Sequence, residues 1–197
     1  MGCRILRRID ISPAFVAFVC AYYYFDPVGT FVPFFLAVAL HELGHIIALS
    51  SLRIKIHSLR LRMCGAQIET APLSYLQELI VASAGPTVNF LLLCLYREKD
   101  PLAALINFCL LIYNLLPLYP LDGGRIINSL LQLLLPQRIA ETIVHLIGAI
   151  TLCSIICFSC YLTCVWHAGL WPVFVSGILF LRLSEIFLKE KRKFAHL

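Results

Sequence analysis

Charge is what this sequence has least of. Asp, Glu, Lys and Arg make up 14% of its 197 residues, where a soluble domain carries roughly a quarter. That shortage excludes an ordinary soluble globular fold. The chain also lacks low-complexity tracts, repeats and an evident linker, which argues for a single transmembrane domain over residues 1–197 rather than a string of modules. No small-x-small cleavage site follows the apolar stretch after Arg4, Arg7 and Arg8, and bulky Tyr22, Tyr23 and Tyr24 occupy its far end. A cleavable signal peptide is therefore not expected. No basic stripe interleaved with aromatics is present either, so the net charge of +5 does not point to nucleic acid.

What is there is apolar surface. The chain is 60% hydrophobic with a mean hydropathy of +0.88. A bilayer core about 30 Å thick needs about 20 apolar residues per helix. Six spans are expected, at roughly 12–26, 32–52, 75–95, 102–118, 142–165 and 168–188. The fold class is therefore an all-α polytopic membrane protein. Fourteen of the sixteen Lys and Arg fall before span one, after spans two and four, and at the end of the chain. Under the positive-inside rule this puts both termini in the cytosol. Between spans two and three, residues 53–69 alternate polar and apolar with the two-residue period of a strand. A small membrane-surface hairpin is expected there, with turns at His57-Ser58 and Cys64-Gly65 and an edge able to add an extended peptide.

Nine cysteines are scattered or, at Cys153, Cys157, Cys160 and Cys164, spaced along one helix face. That stripe reads as small residues for helix packing.

The chemistry sits in span two, where His41-Glu-Leu-Gly-His45 interrupts an apolar run. Four residues apart on a helix, His41 and His45 share a face and can grip one metal ion, with Glu42 beside them to take a proton from water. Three ionisable groups in five residues of a membrane helix cost several kcal/mol, of order, unless they coordinate or pair. A hydrolytic zinc site wants a third protein ligand and one open position. Asp122, Glu69, Glu78, His57, His145 and His167 are the candidates. Asp122 is preferred because it ends the Pro- and Gly-rich segment Asn114-Leu-Leu-Pro-Leu-Tyr-Pro-Leu-Asp-Gly-Gly-Arg125. That segment cannot continue a regular helix, and irregular backbone at membrane depth lines protein or a wet cavity. Gly85-Pro86 is expected to break span three in the same way.

Three blocks in order, His41–His45, Ser83-Ala-Gly-Pro-Thr-Val-Asn89 and Asn114–Arg125, resemble the site-2 protease family of intramembrane zinc metalloproteases. The resemblance covers residues 32–125, a three-helix core in that family, and is nearest the branch of stage IV sporulation protein FB. No long insert that would hold a PDZ domain separates the blocks, and a nucleotide-sensing domain is not expected. The resemblance implies one zinc ion on His41, His45 and Asp122, with Glu42 as general base. Asn89 and Asn114 are implied as substrate-binding or oxyanion groups. It further implies a bacterial cytoplasmic-membrane location, a membrane-associated protein substrate cleaved near the cytosolic leaflet, and a membrane regulatory partner. A role in sporulation follows by analogy alone. Two other readings are a metal transporter or sensor, in which His41, His45 and Asp122 form a relay with the Cys153–Cys164 stripe and His167, and an inactive scaffold that binds membrane helices.

Overall fold

The computed structural model describes residues 9–62 and 65–165, with 173, 176, 177 and 180. These residues form six helices and three short strands, in two compact units, Met1–Leu115 and Leu116–Leu197.

The first unit holds β1 (Ile9–Ile11), α1 (Pro13–Tyr24), α2 (Phe31–Ser51), β2 (Ile56–Arg62), β3 (Gly65–Thr70), α3 (Tyr75–Tyr96) and α4 (Pro101–Leu115). Its helix starts are written in the sequence. The Ser12 hydroxyl accepts from the Phe15 N–H ahead of Pro13. Ser74 and Gln77 form a capping box on α3. The Asp100 carboxylate accepts from the N–H groups of Leu102 and Ala103, with Pro101 between. Each arrangement satisfies amides that a helix start leaves without intrahelical partners. Between α1 and α2, Asp26 accepts from the Phe31 N–H at 2.7 Å and the Thr30 hydroxyl at 2.9 Å. Desolvation pushes its carboxyl pKa up, but these bonds and that from Val28 outweigh it and hold the value below the ordinary one.

α2, α3 and α4 pack pairwise into a three-helix core. The packed faces are mostly small or polar. Ala37, His41, Gly44, His45 and Leu49 are buried on α2. Val81, Ala82, Gly85, Pro86 and Asn89 are buried on α3, and Ala103, Ala104 and Asn107 on α4. The large apolar side chains point the other way, with Leu43, Ile47, Phe90, Leu91, Leu105 and Phe108 all exposed. Small-in, large-out is how helices pack where lipid is the solvent, since lipid already accepts Leu and Phe and close backbone approach supplies the contact. Gly44 is the clearest case: a Cβ there would lie 2.8 Å from Val88 Cγ2 and 3.0 Å from the Ala84 carbonyl oxygen.

α2 ends in a tight cap. The Ile54 N–H donates to the Leu49 carbonyl and the Arg53 N–H to that of Ser50, with Arg53 at φ 56°. This is a Schellman arrangement with a non-glycine residue in the left-handed position. It turns the chain into the sheet, and Ile54 joins Leu49, Ile56, Val81, Ile68 and Leu73 in one apolar cluster. The sheet thus sits over the end of α2 and the start of α3.

The sheet has three strands in the order β1-β2-β3. β2 and β3 form the expected antiparallel hairpin, with Arg62 opposite Gly65 and Ser58 opposite Glu69. β1 adds in parallel, with Ile9 opposite Leu59, and was not foreseen because three residues carry too little periodicity. His57-Ser58 is not a turn: it lies inside β2 at a register shift between Ile56 and Ser58. Among the described residues β3 remains an edge strand.

Among the described residues three helices, α2, α3 and α6, are long and apolar enough to cross a membrane. The spans expected at 12–26 and 102–118 are shorter apolar helices of 12 and 15 residues, about 18 and 22 Å at 1.5 Å per residue. The span expected at 168–188 falls almost wholly outside the described residues.

The second unit contains α5 (Asp122–Leu134) and α6 (Gln137–Cys164). α5 was not anticipated, since the Pro and Gly before it masked its start, and α6 begins five residues before the span expected at 142. Leu118 and Leu121 are buried against Leu116, Leu152 and Ile155, so the non-helical stretch before α5 packs on α6. The cysteine stripe on α6 is exposed, not packed as expected against another described helix.

Candidate metal centre

His41 and His45 point from α2 toward α3, each 5% exposed. Their Nε2 atoms lie 3.2 Å apart, with the rings at 82° and centroids 4.9 Å apart. The second nitrogen of each ring sets the tautomer. His45 Nδ1 donates to the Val81 carbonyl at 2.8 Å, so its N–H is at Nδ1 and its lone pair at Nε2. His41 Nδ1 lies 2.5 Å from Asn89 Oδ1. The Asn89 amide nitrogen donates to Asn107 Oδ1 at 3.0 Å, and the Asn107 amide nitrogen donates to the Ala103 carbonyl at 2.8 Å. This run of donors settles which end of Asn89 faces His41, and it makes His41 Nδ1 the donor. Both Nε2 atoms therefore present lone pairs to the same point. At 3.2 Å the two nitrogens can share one proton or, with both rings neutral, one metal ion. Imidazoles with their far nitrogens hydrogen-bonded are what metal-ligating histidines look like.

Gly85 makes this approach feasible. A Cβ there would fall 2.7 Å from His41 Nε2 and closer still to His45 Nε2. Only a residue without a side chain lets the α3 backbone pass so near the imidazoles.

Gly85-Pro86 does not break α3, contrary to expectation: the helix runs unbroken from Tyr75 to Tyr96 with Pro86 inside. Pro86 withholds the N–H that would reach the Ala82 carbonyl. The Ser83 and Thr87 hydroxyls donate to the Leu79 and Ser83 carbonyls, and His45 donates to Val81 in the turn the proline loosens. Side chains of the helix and its neighbour thus supply donors where the backbone is loosened.

The remaining candidates have distinct places. Glu42 follows His41 on α2 and is half-buried. Asn89 is fully buried with both ends of its amide engaged, so it stands behind His41 rather than in the substrate-facing role expected of it. Asn114 is half-buried near the end of α4, where its amide nitrogen donates to the Leu110 carbonyl at 3.1 Å. It lies seven residues, or about 10 Å, along α4 from Asn107 and on the same face. Asp122, 5% exposed, is the first residue of α5 and pairs with Arg125 at 3.2 Å. A carboxylate suits a helix start, where the dipole is positive. A Cβ on Gly124 would lie 2.5 Å from the Leu118 carbonyl carbon, so that glycine lets the preceding turn close over α5. Glu69 bonds Ser58 and Arg60 across the hairpin. His167 lies outside the described residues. Asn107 was missed, although an Asn inside the apolar run Leu102–Leu116 was the signal that could have found it.

Residues 101–155 match the family model described as Peptidase family M50, a range that includes the Asn114–Arg125 block. The chain is 33% identical over 115 residues to a zinc metalloprotease of Methanocaldococcus jannaschii, covering 52% of this chain and 34% of the relative. It is 28% identical over 174 residues to stage IV sporulation protein FB of Bacillus subtilis, covering 80% of this chain and 57% of the relative. The chain therefore spans from about a third to somewhat over half the length of these relatives. Among solved structures it is similar to the site-2 protease from Methanocaldococcus jannaschii, with a TM-score of 0.66, 21% identity, and coverage of 94% of this chain and 92% of that one. The chain thus has the site-2 protease fold, with residues 101–155 matching the peptidase family M50 model.

Proposed function

We propose that this chain is an intramembrane zinc metalloendopeptidase that hydrolyses a peptide bond in a membrane-associated regulatory protein near the cytosolic leaflet. The observation that carries the reading is the His41–His45 pair. Two buried imidazoles, both Nδ1 atoms engaged, turn their Nε2 atoms together at 3.2 Å in a helix long and apolar enough to cross a membrane. Relatives whose names print zinc metalloprotease support the same reading.

His41, His45 and Asp122 would hold the ion. Two imidazoles and one carboxylate are a hydrolytic donor set that keeps a fourth position open. Zinc bound there would polarise the scissile carbonyl and acidify a water. Glu42 would take the proton from the attacking water and pass it to the departing amine nitrogen. Asn114 stands as the remaining candidate to bind the peptide. The charge pattern supports a multi-pass protein with both termini in the cytosol, and the family resemblance implies a bacterial cytoplasmic membrane and a gating membrane partner. The transporter reading called on the Cys153–Cys164 thiols as further ligands, and these are exposed on α6.

Glu42→Gln is the decisive variant. It should retain one zinc per chain and lose cleavage by about 10²–10⁴-fold. Co-expression of wild type and Glu42→Gln with candidate membrane substrates, read on immunoblots, measures it. Equal cleavage by both proteins overturns the mechanism, and cleavage by neither supports the scaffold.

A further inference from the structure

We propose that Asn107 is a positioning residue for the metal centre, acting through Asn89 to hold His41 in the tautomer that ligates. The inference rests on the metal reading of His41 and deepens it.

An asparagine amide is nearly symmetric in shape and opposite in chemistry at its two ends. Asn89 has no intrinsic reason to show its oxygen rather than its nitrogen to His41. With the nitrogen forward, it would donate to His41 Nδ1, force the ring proton onto Nε2 and remove the lone pair that must meet the metal. Asn107 decides between these states. Its Oδ1 stands 3.0 Å from Asn89 Nδ2 and accepts only from a donor, so Asn89 Oδ1 is left to face His41. Asn107 is itself held, because its nitrogen donates to the Ala103 carbonyl on its own helix. A carbonyl accepts only, so the orientation of the whole run is fixed from a main-chain group that cannot flip. Asn89 and Asn107 are 0% and 2% exposed, so water does not compete for these positions. The run ties α4 to α2 through α3. A residue with no place in the recognised sequence blocks therefore controls a ligand on another helix.

A packing role and a tautomer role make opposite demands. Packing accepts Asn107→Leu, which has the same branched skeleton and suits an apolar helix, and rejects Asn107→Asp. The tautomer role accepts Asn107→Asp, which keeps an acceptor toward Asn89, and rejects Asn107→Leu. Asn107→Ser keeps the fold under either role and withdraws the acceptor from reach. The experiment uses the full chain in detergent with ¹⁵N-labelled histidine. His41 nitrogen shifts are recorded without metal, and zinc affinity is then measured by competition with a chromophoric chelator.

Wild type and Asn107→Asp should show His41 protonated at Nδ1, with zinc affinities within about threefold of each other. Asn107→Leu and Asn107→Ser should show a mixed tautomer and affinity lower by about 10–100-fold, the usual effect of losing a group behind a metal ligand. An unchanged His41 tautomer in both Leu and Ser variants overturns the proposal, as does affinity that falls only in Asn107→Asp. If the wild-type chain bound no zinc, the proposed function would fail, while the metal-free tautomer comparison would still decide the role of Asn107.

Discussion

Two proline-bearing segments of this chain look alike in sequence and fold differently. Ser83-Ala-Gly-Pro-Thr-Val-Asn89 stays helical inside α3. The Pro117–Pro120 stretch leaves the helix altogether between Leu115 and Asp122. Both lose backbone donors at proline. In α3 there is one proline, with hydroxyls at Ser83 and Thr87 and an imidazole at His45 supplying donors around the loosened turn. Between α4 and α5 two prolines fall within four residues, and the chain instead buries Leu118 and Leu121 and folds back over Gly124. A proline in a membrane helix therefore does not mark a break by itself. One proline costs α3 a single backbone donor, while two within four residues cost more than a helix keeps.

Three substitutions press on this comparison. The largest effect belongs to Gly85→Ala. The new methyl would occupy the space of both Nε2 atoms, so zinc content should fall below a tenth of wild type and cleavage by about 100-fold or more, while helix content by circular dichroism stays unchanged. Normal zinc content would mean that α3 can back away from α2, and the close packing at Gly44 argues that it cannot. Gly124→Ala comes next. It should cost about 1–3 kcal/mol by overpacking, read as a lower midpoint in detergent unfolding. A neutral result would show the turn before α5 to be pliable rather than closed. Pro86→Ala should have the smallest effect. The restored N–H adds about 1 kcal/mol and the freer unfolded chain removes a similar amount, leaving stability within about 1 kcal/mol of wild type. A loss well beyond that would make the proline a builder of α3 rather than a tolerated guest.

Much of the centre was legible because its signals are local. His41 and His45 share a face through the 3.6-residue period alone, and their cost in an apolar helix asks for a metal. The β2–β3 hairpin shows through its two-residue period, and Gly44 through its place between the ligands. The misses have a common cause. Asn89 was assigned to substrate because its partners come from α2 and α4, 48 and 18 residues away. β1 pairs with a strand about 50 residues on. α5 begins behind a turn whose composition reads as a break.

Composition, apolar run lengths and the spacing of His41, Glu42 and His45 settled by themselves that this is a helical membrane protein with two histidines on one helix face, because transfer energies and helix periodicity act within a few turns of chain. Only the tertiary structure decided that α3 remains continuous through Pro86, that Gly85 must be bare, and that Asn89 and Asn107 stand behind His41. Those outcomes depend on which carbonyl, amide or imidazole a neighbouring helix brings within 3 Å, and no local pattern encodes that choice.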